Sequence, residues 1–457
     1  MKTNFTAEQL KDPELAEANE ILKTCVHYGF CTNTCPTYVV TRDENESPRG
    51  RIDLIREMLE DGGAPKSSTV QHIDSCLSCL SCMTTCAADV DYVHLIDKAR
   101  VHVEEHYDRP IIDRLLRSAL AATIPYPKRF SAALKLGRIG RRFGKLAPKQ
   151  LRPLLDLVPD ALAEDILAPQ LFKAEGERRY RVAILAGCAQ QVLNGNINAA
   201  TIRILQRHGC DVVVAKGAGC CGSLALHMGR DEQAKASATR NVTAWQQELA
   251  VGGLDAIIVN SSGCGTTIKD YGHLFQRDSN ASEAREVAAK ACDITEFLCK
   301  IGLNVPESPL PYVVAYHDPC SMQHGQKVKS QPRQMLRKAG FTVQDVPEGH
   351  FCCGSAGTYN MLQPEMAAKL GQRKADHIAS TTHHLVATGN IGCMTQIQKY
   401  LGKPVVHSVE LLDWATGGPM PPAVVGVDLP DPASLVEIPK DVPQQAATPA
   451  PISDGFW

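Results

Sequence analysis

The chain has 457 residues, room for about three domains of roughly 150 residues each. With 44% hydrophobic residues, 21% charged residues, 5% aromatics and a net charge of -2, it reads as ordinary globular protein and excludes a broad nucleic-acid-binding surface. No apolar run of about 18 residues would span a bilayer and no apolar leader follows Met1, so a cytoplasmic-side protein is expected.

Eighteen cysteines in a reducing compartment are not disulfides, which leaves metal ligation, redox chemistry or burial. Cys210, Cys292 and Cys299 stand outside any pattern and are expected to be buried core thiols. The other fifteen are patterned.

The first run is Cys25-Val-His-Tyr-Gly-Phe-Cys31-Thr-Asn-Thr-Cys35-Pro36, and the second is Cys76-Leu-Ser-Cys79-Leu-Ser-Cys82-Met-Thr-Thr-Cys86. The second has the C-x2-C-x2-C-x3-C spacing by which one loop gives three thiolates to an iron–sulfur cluster and sends the fourth to a neighbouring one. A structural zinc site does not need four cysteines so close together. By that crossover rule Cys76, Cys79 and Cys82 share a 4Fe–4S cluster with Cys35, and Cys25, Cys31 and Cys86 serve a second cluster. Its expected fourth ligand position holds Tyr28. Three thiolates suit a 3Fe–4S cluster, or a 4Fe–4S cluster whose last iron takes water, the Tyr28 phenolate or His27. Between the runs, Ile52, Ile55, Met58 and Leu59 repeat at helical spacing and Gly62-Gly63 ends the segment, which predicts an all-α two-cluster ferredoxin domain over 1–110.

Residues 114–152 contain eleven Lys or Arg and no acidic residue. Leu134, Leu136, Ile139, Phe143 and Leu146 alternate there with Lys135, Arg138, Arg141, Arg142 and Lys145. The segment reads as a basic helical linker, 111–178, with docking on anionic lipid or an acidic subunit as the sharper alternative. Gly137, Gly140 and Gly144 argue against one long helix.

The second half is a repeat. Cys188 recurs at Cys320 and Cys220-Cys221-Gly222 at Cys352-Cys353-Gly354, both displaced by 132 residues, and Cys264 recurs at Cys393, displaced by 129. Short apolar runs lead to the cysteines: Val182 onward, Val212 onward and Ala256 onward, then Val313 onward, Phe341 onward and Leu385 onward. Helical stretches such as Ile197–Gln206 and Gln363–Ala375 separate them. The expected architecture is two tandem α/β modules with parallel sheets, 179–305 and 306–416, each aiming four thiols at the carboxyl edge of its strands. Cys188, Cys220, Cys221 and Cys264, and again Cys320, Cys352, Cys353 and Cys393, are candidate ligands of a further cluster or zinc ion. His317 and His350 flank the second set and read as structural histidines. Gly217-Ala-Gly-Cys-Cys-Gly222 matches a dinucleotide fingerprint, but the second copy keeps the cysteines and not the glycines, which argues against nucleotide binding.

This arrangement resembles the iron–sulfur subunit family of bacterial glycolate oxidase (glycolate dehydrogenase) over about residues 1–416. The resemblance rests on the two cysteine runs, Ser47-Pro-Arg-Gly-Arg-Ile52, His317-Asp-Pro-Cys320, Cys352-Cys-Gly-Ser-Ala-Gly-Thr358 and Asn390-Ile-Gly-Cys393. It implies an electron-transfer subunit, not catalytic alone, whose FAD-containing partner subunits oxidise glycolate to glyoxylate. Electrons would pass through the clusters to a quinone-type acceptor, with the complex peripheral on the inner face of the cell membrane. The first run is also similar to the three-iron motif of succinate dehydrogenase iron–sulfur subunits, which implies 3Fe–4S at the Tyr28 site. Equivalent subunits of glycerol-3-phosphate or lactate dehydrogenases share the architecture. A heterodisulfide-reductase-like enzyme is the other alternative, weakened because Ser261 and Asn390 replace the first cysteine of the expected CxxC ends.

From Pro419 to Trp457 there are nine prolines in 39 residues, and 417–457 is expected to be a disordered Pro-rich tail.

Overall fold

The computed structural model describes residues 1–141, 158–159, 162, 166–305 and 310–435. Residues 13–141 contain helices and no strand. Leu22, Ile55, Ile73, Leu95, Ile96 and Ala99 form the centre of this helical region, all fully buried. Its frame is the helix Pro48–Asp61. Ser47 caps it by accepting from Gly50 N at 3.0 Å, Pro48 sits at the first helical position, and Gly62 closes it at φ 70°. A Cβ on Gly50 would lie 2.1 Å from the Glu44 carbonyl oxygen, so the Ser-Pro-Arg-Gly-Arg sequence is a helix start that only glycine allows to pack this tightly.

Two sheets follow. The first has the order β1-β3-β2-β4-β5, with β1 Gln170–Phe172, β2 Tyr180–Ile184, β3 Cys210–Val214, β4 Ala256–Val259 and β5 Ala291–Asp293. The second has the order β7-β6-β8-β9, with β6 Val313–His317, β7 Thr342–Asp345, β8 Leu385–Thr388 and β9 Val406–His407. All pairings are parallel except β1 with β3, so the two copies share one topology and the first carries an added antiparallel edge. The sheets are joined by one core, in which Val182, Ile184 and Ile258 pack with Val314, Tyr316 and Leu412. Across it Asp413, 1% exposed, receives Arg203 and Arg207 at 2.5 Å each.

Three expectations change. Residues 111–178 are not wholly helical, since β1 falls among them; Gln170–Phe172 covers the otherwise open edge of β3. The helix Pro127–Arg141 runs through Gly137 and Gly140, and at Gly137 a Cβ would come within 2.9 Å of Val158. Arg142, Phe143, Gly144, Lys145 and Leu146 lie outside the described residues. Residues 417–435 are ordered rather than a loose tail: Val424 is buried, Leu429 and Leu435 pack on the shared core, and Tyr312 donates to the Pro430 carbonyl at 3.3 Å. Residues 436–457 lie outside the described residues. Cys210 is fully buried in β3, whereas Cys292 and Cys299 are only half-buried.

Candidate iron–sulfur and thiol centres

The second cysteine run curls because Ser78 and Leu80 adopt left-handed backbone (φ 48° and 61°) before the short helix Ser81–Thr85. Two non-glycine residues in that region cost of order 1–3 kcal/mol each, a strain kept where a site requires it. The curl places Cys76, Cys79 and Cys82 around one hollow, and Cys35 closes it. Burial pushes the Cys79 and Cys82 thiols well up, so thiolates there need a cation to balance them. Arg51, 1% exposed, supplies a fixed positive charge beside them: it donates to Glu46 Oε2 and the Glu46 carbonyl at 2.6 Å, the His72 carbonyl at 2.7 Å and Ser75 Oγ at 2.8 Å. Its Nη1 lies 3.9 Å from Cys35 Sγ, and the Tyr92 hydroxyl points at Cys76 Sγ at 3.7 Å. Donors aimed at sulfur stabilise the electron-rich state of a bound cluster.

A second hollow is lined by Cys25, Cys31 and Cys86 together with His27, Tyr28 and Arg49. It is more open. Tyr28 is 67% exposed and stacks on Phe30 at 6.1 Å, while His27, at φ 59°, keeps a buried Nε2 without a partner among the described residues. The Cys31 thiol is pushed up to about 11 by burial first and then by Cys25 and Cys86.

In each sheet region the cysteines follow the carboxyl ends of three adjacent strands. After β2, β3 and β4, Cys188 meets Cys220, Cys220 meets Cys221 and Cys221 meets Cys264, one after the next. Cys320, Cys352, Cys353 and Cys393 do the same after β6, β7 and β8, with Cys320 Sγ 3.6 Å from Cys352 Sγ. The glycine after each pair has a shared task. Gly222 (φ 94°) and Gly354 (φ 87°) turn the chain where a Cβ would meet the carbonyl oxygens of Ala234 and Ala367 at 2.8 and 2.7 Å. The fingerprint glycines therefore serve the thiol pair, and Gly219 N is already taken by Asn241 Oδ1 at 2.7 Å.

The helical region meets the second thiol set directly. Leu77 and Cys79 pack with Cys320, Cys352 and Tyr359 in one buried group, and the Tyr359 hydroxyl donates to the Ser75 carbonyl at 2.9 Å. Arg51, Tyr92, Asn241 and Lys374 were not singled out from the sequence; only the position of Arg51 between the cysteine runs could have drawn attention to it. The expectation of a structural His317 meets an anomaly: both its ring nitrogens are buried without a partner among the described residues.

Curled cysteine loops around two hollows, joined to buried thiol sets at sheet edges, define an iron–sulfur electron-transfer protein. Residues 21–90 match the 4Fe-4S dicluster domain, and residues 182–269 and 314–398 each match the cysteine-rich (CCG) domain. The chain is 38% identical over 416 residues to the glycolate oxidase iron-sulfur subunit of Escherichia coli, covering 91% of this chain and 99% of that one. It is 29% identical over 445 residues to the probable glycolate oxidase iron-sulfur subunit of Bacillus subtilis, covering 91% and 99%. Lactate utilization protein A of Oceanobacillus iheyensis is 27% identical over 241 residues, 51% of this chain and 96% of that one. The chain belongs to the glycolate oxidase iron–sulfur subunit family.

Proposed function

We propose that this chain carries electrons from FAD-containing partner subunits, which oxidise glycolate to glyoxylate, to a quinone-type acceptor. Two electrons and two protons leave glycolate on the partner; bound iron–sulfur clusters exchange single electrons and so couple that step to one-electron carriers. Cys35, Cys76, Cys79 and Cys82 hold one 4Fe–4S cluster. Cys25, Cys31 and Cys86 hold the other, with Tyr28 and His27 at the corner that lacks a thiolate, as 3Fe–4S in the leading reading and 4Fe–4S in the alternative. The two thiol sets of the sheet regions hold a further cluster or zinc. The division into 1–110, 111–178, 179–305, 306–416 and 417–457 is part of the same reading, with the last segment amended to start as an ordered strap.

The observation that carries it is the buried group that Cys79 shares with Cys320 and Cys352: it supports a continuous line from the ferredoxin-like region into the second CCG region. Arg51 and Tyr92 hold charge and hydrogen bonds on that line, and the packed Leu77 and Tyr359 exclude water from it. Lactate and glycerol 3-phosphate remain the alternative donors of the complex, and the relatives that span nearly the whole chain favour glycolate.

No helix among the described residues is long and apolar enough to cross a membrane. Peripheral contact with the inner face of the cell membrane is supported by a helical pair that leaves Ile111, Ile112, Leu115, Leu136 and Ile139 each more than 60% exposed beside Lys128, Arg129, Lys135 and Arg138.

The test is EPR on the anaerobically purified complex, frozen before and after glycolate. Expected is a cluster signal that changes on glycolate addition. Signals that respond to dithionite and to lactate or glycerol 3-phosphate, but not to glycolate, would keep the electron-carrying role and replace the donor. Tyr28→Cys should turn a three-iron signal into a four-iron one; an unchanged signal would remove Tyr28 from the vacant corner.

A further inference from the structure

The two CCG regions diverge at the strand end that faces their thiols. Three residues before Cys188 stands Leu185, and three residues before Cys320 stands His317. Leu185 is apolar and buried, a side chain that asks nothing of its surroundings. His317 is 0% exposed, and neither its Nδ1 nor its Nε2 has a hydrogen-bond partner among the described residues. An imidazole stripped of water and left unpaired is costly, so its position calls for an acceptor of its lone pair or its proton.

What it faces is sulfur. A ring nitrogen of His317 and the Sγ atoms of Cys353 and Cys393 all lie within 4.8 Å of one another, and all three residues are buried. Imidazole nitrogen and thiolate sulfur are the donors that zinc and iron sites combine. The loop that presents the histidine is also anchored from outside the cluster. Arg333 grips both carboxylate oxygens of the adjacent Asp318, at 2.5 Å for Nη2 to Oδ2, and covers the Tyr316 ring at 5.2 Å.

We propose that His317 is a direct metal ligand in the second CCG region, together with Cys353 and Cys393, whereas the first region offers sulfur alone. The inference rests on the reading that the thiol sets bind metal. It makes the two centres chemically different: a redox-active centre held in part by a neutral imidazole carries less negative charge than one held by thiolates alone, which raises its reduction potential.

The test uses the full-length chain purified anaerobically, with zinc and iron counted and X-ray absorption recorded at both metal edges. Parent, His317→Leu (the residue of the first copy), His317→Cys and His27→Leu are compared. Expected is a nitrogen in the metal shell that is lost in His317→Leu and kept in His27→Leu, with metal content falling in His317→Leu and recovered in His317→Cys without the nitrogen. Where the centre is paramagnetic, 15N-histidine labelling should give a directly bonded hyperfine coupling that disappears with His317. A shell of sulfur only in the parent, or a nitrogen that survives His317→Leu combined with His27→Leu, would overturn the assignment. So would a stability loss in His317→Leu with an unchanged metal shell, which would make His317 a core residue. A parent with no metal beyond that of the ferredoxin-like region would overturn the metal reading itself and this inference with it.

Discussion

The two CCG regions share strand order, cysteine spacing and the glycine turn, yet their interiors differ. All four thiols of the second set are buried, whereas Cys188 and Cys264 of the first are only half-buried. The shared packing of Gly222 on Ala234 and of Gly354 on Ala367 aligns the following helices and sets Asn241 against Lys374. Asn241 donates to the Cys220 carbonyl at 2.9 Å and the Tyr271 hydroxyl at 3.1 Å, a neutral clasp on the cysteine pair. Lys374 is 2% exposed, donates to the Glu348 carbonyl at 2.7 Å, and lies where its charge acts on Cys352 and Cys353. One fold thus offers an open, neutral thiol set and a closed one with a buried cation, an imidazole and the ferredoxin-like region at its side. Duplication fixed the frame, and substitution at a few inward positions set the chemistry.

The largest expected effect separates those two clasps. Asn241→Leu strips three buried hydrogen-bond partners, Gly219 N, the Cys220 carbonyl and the Tyr271 hydroxyl. It should cost about 3 kcal/mol, read as a lower denaturation midpoint. Lys374→Met should cost only about 1 kcal/mol, because an apolar side chain replaces a desolvated charge, but it should lower the potential of a metal centre in the second set. If instead Asn241→Leu moves the potential and Lys374→Met the stability, the contrast is drawn the wrong way round.

A chemical probe sharpens the same contrast. In metal-depleted full-length protein, Cys188 and Cys264 should be alkylated before any of Cys320, Cys352, Cys353 and Cys393, followed by peptide mass spectrometry. Equal rates would show that the burial difference does not govern access.

The smallest effect concerns how each region is fastened to the helical one. The first is held by charge: His94 lies 2.6 Å from Asp91 and 3.1 Å from Asp270 and stacks on His273, which meets Glu17 at 2.8 Å. The hydrogen bonds and charges of Asp270 and Asp91 outweigh burial and raise the His94 pKa to about 10. This contribution is full below the unfolded value of about 6.5 and is lost as pH rises through about 10. The second is held in part by His324, whose Nδ1 meets Thr84 Oγ1 at 2.7 Å; burial lowers its pKa to about 4. Its contribution is full above about 6.5 and is lost as pH falls through about 4. Hydrogen exchange should therefore show the contact of the first region opening on the alkaline side and that of the second on the acid side. Both opening at the same extreme would break the contrast.

Much of this was legible before any fold was known. Cysteine spacing is a covalent pattern, so the curl of Cys76–Cys82 and the duplication of Cys-Cys-Gly could be read directly, as could the helix over Ile52–Leu59 and six strands. The strands that escaped notice are β1, β5 and β9, each two or three residues long and too short to show a period. The ordered strap over 417–435 escaped for another reason. Proline-rich composition argues against an independent core, but Val424 and Leu429 need none of their own when they pack on one already built.

The sequence by itself determined that this protein gathers thiols, how many sets it makes and in what order along the chain, because ligand type and spacing are local properties. Only the tertiary structure decided which set touches which. The buried group that holds both Cys79 and Cys320 joins residues 241 positions apart, and the unpaired state of His317 depends on what every neighbour does with its own hydrogen bonds. Such facts are sums over the packed interior, where removal of water makes one missing partner or one buried charge decisive.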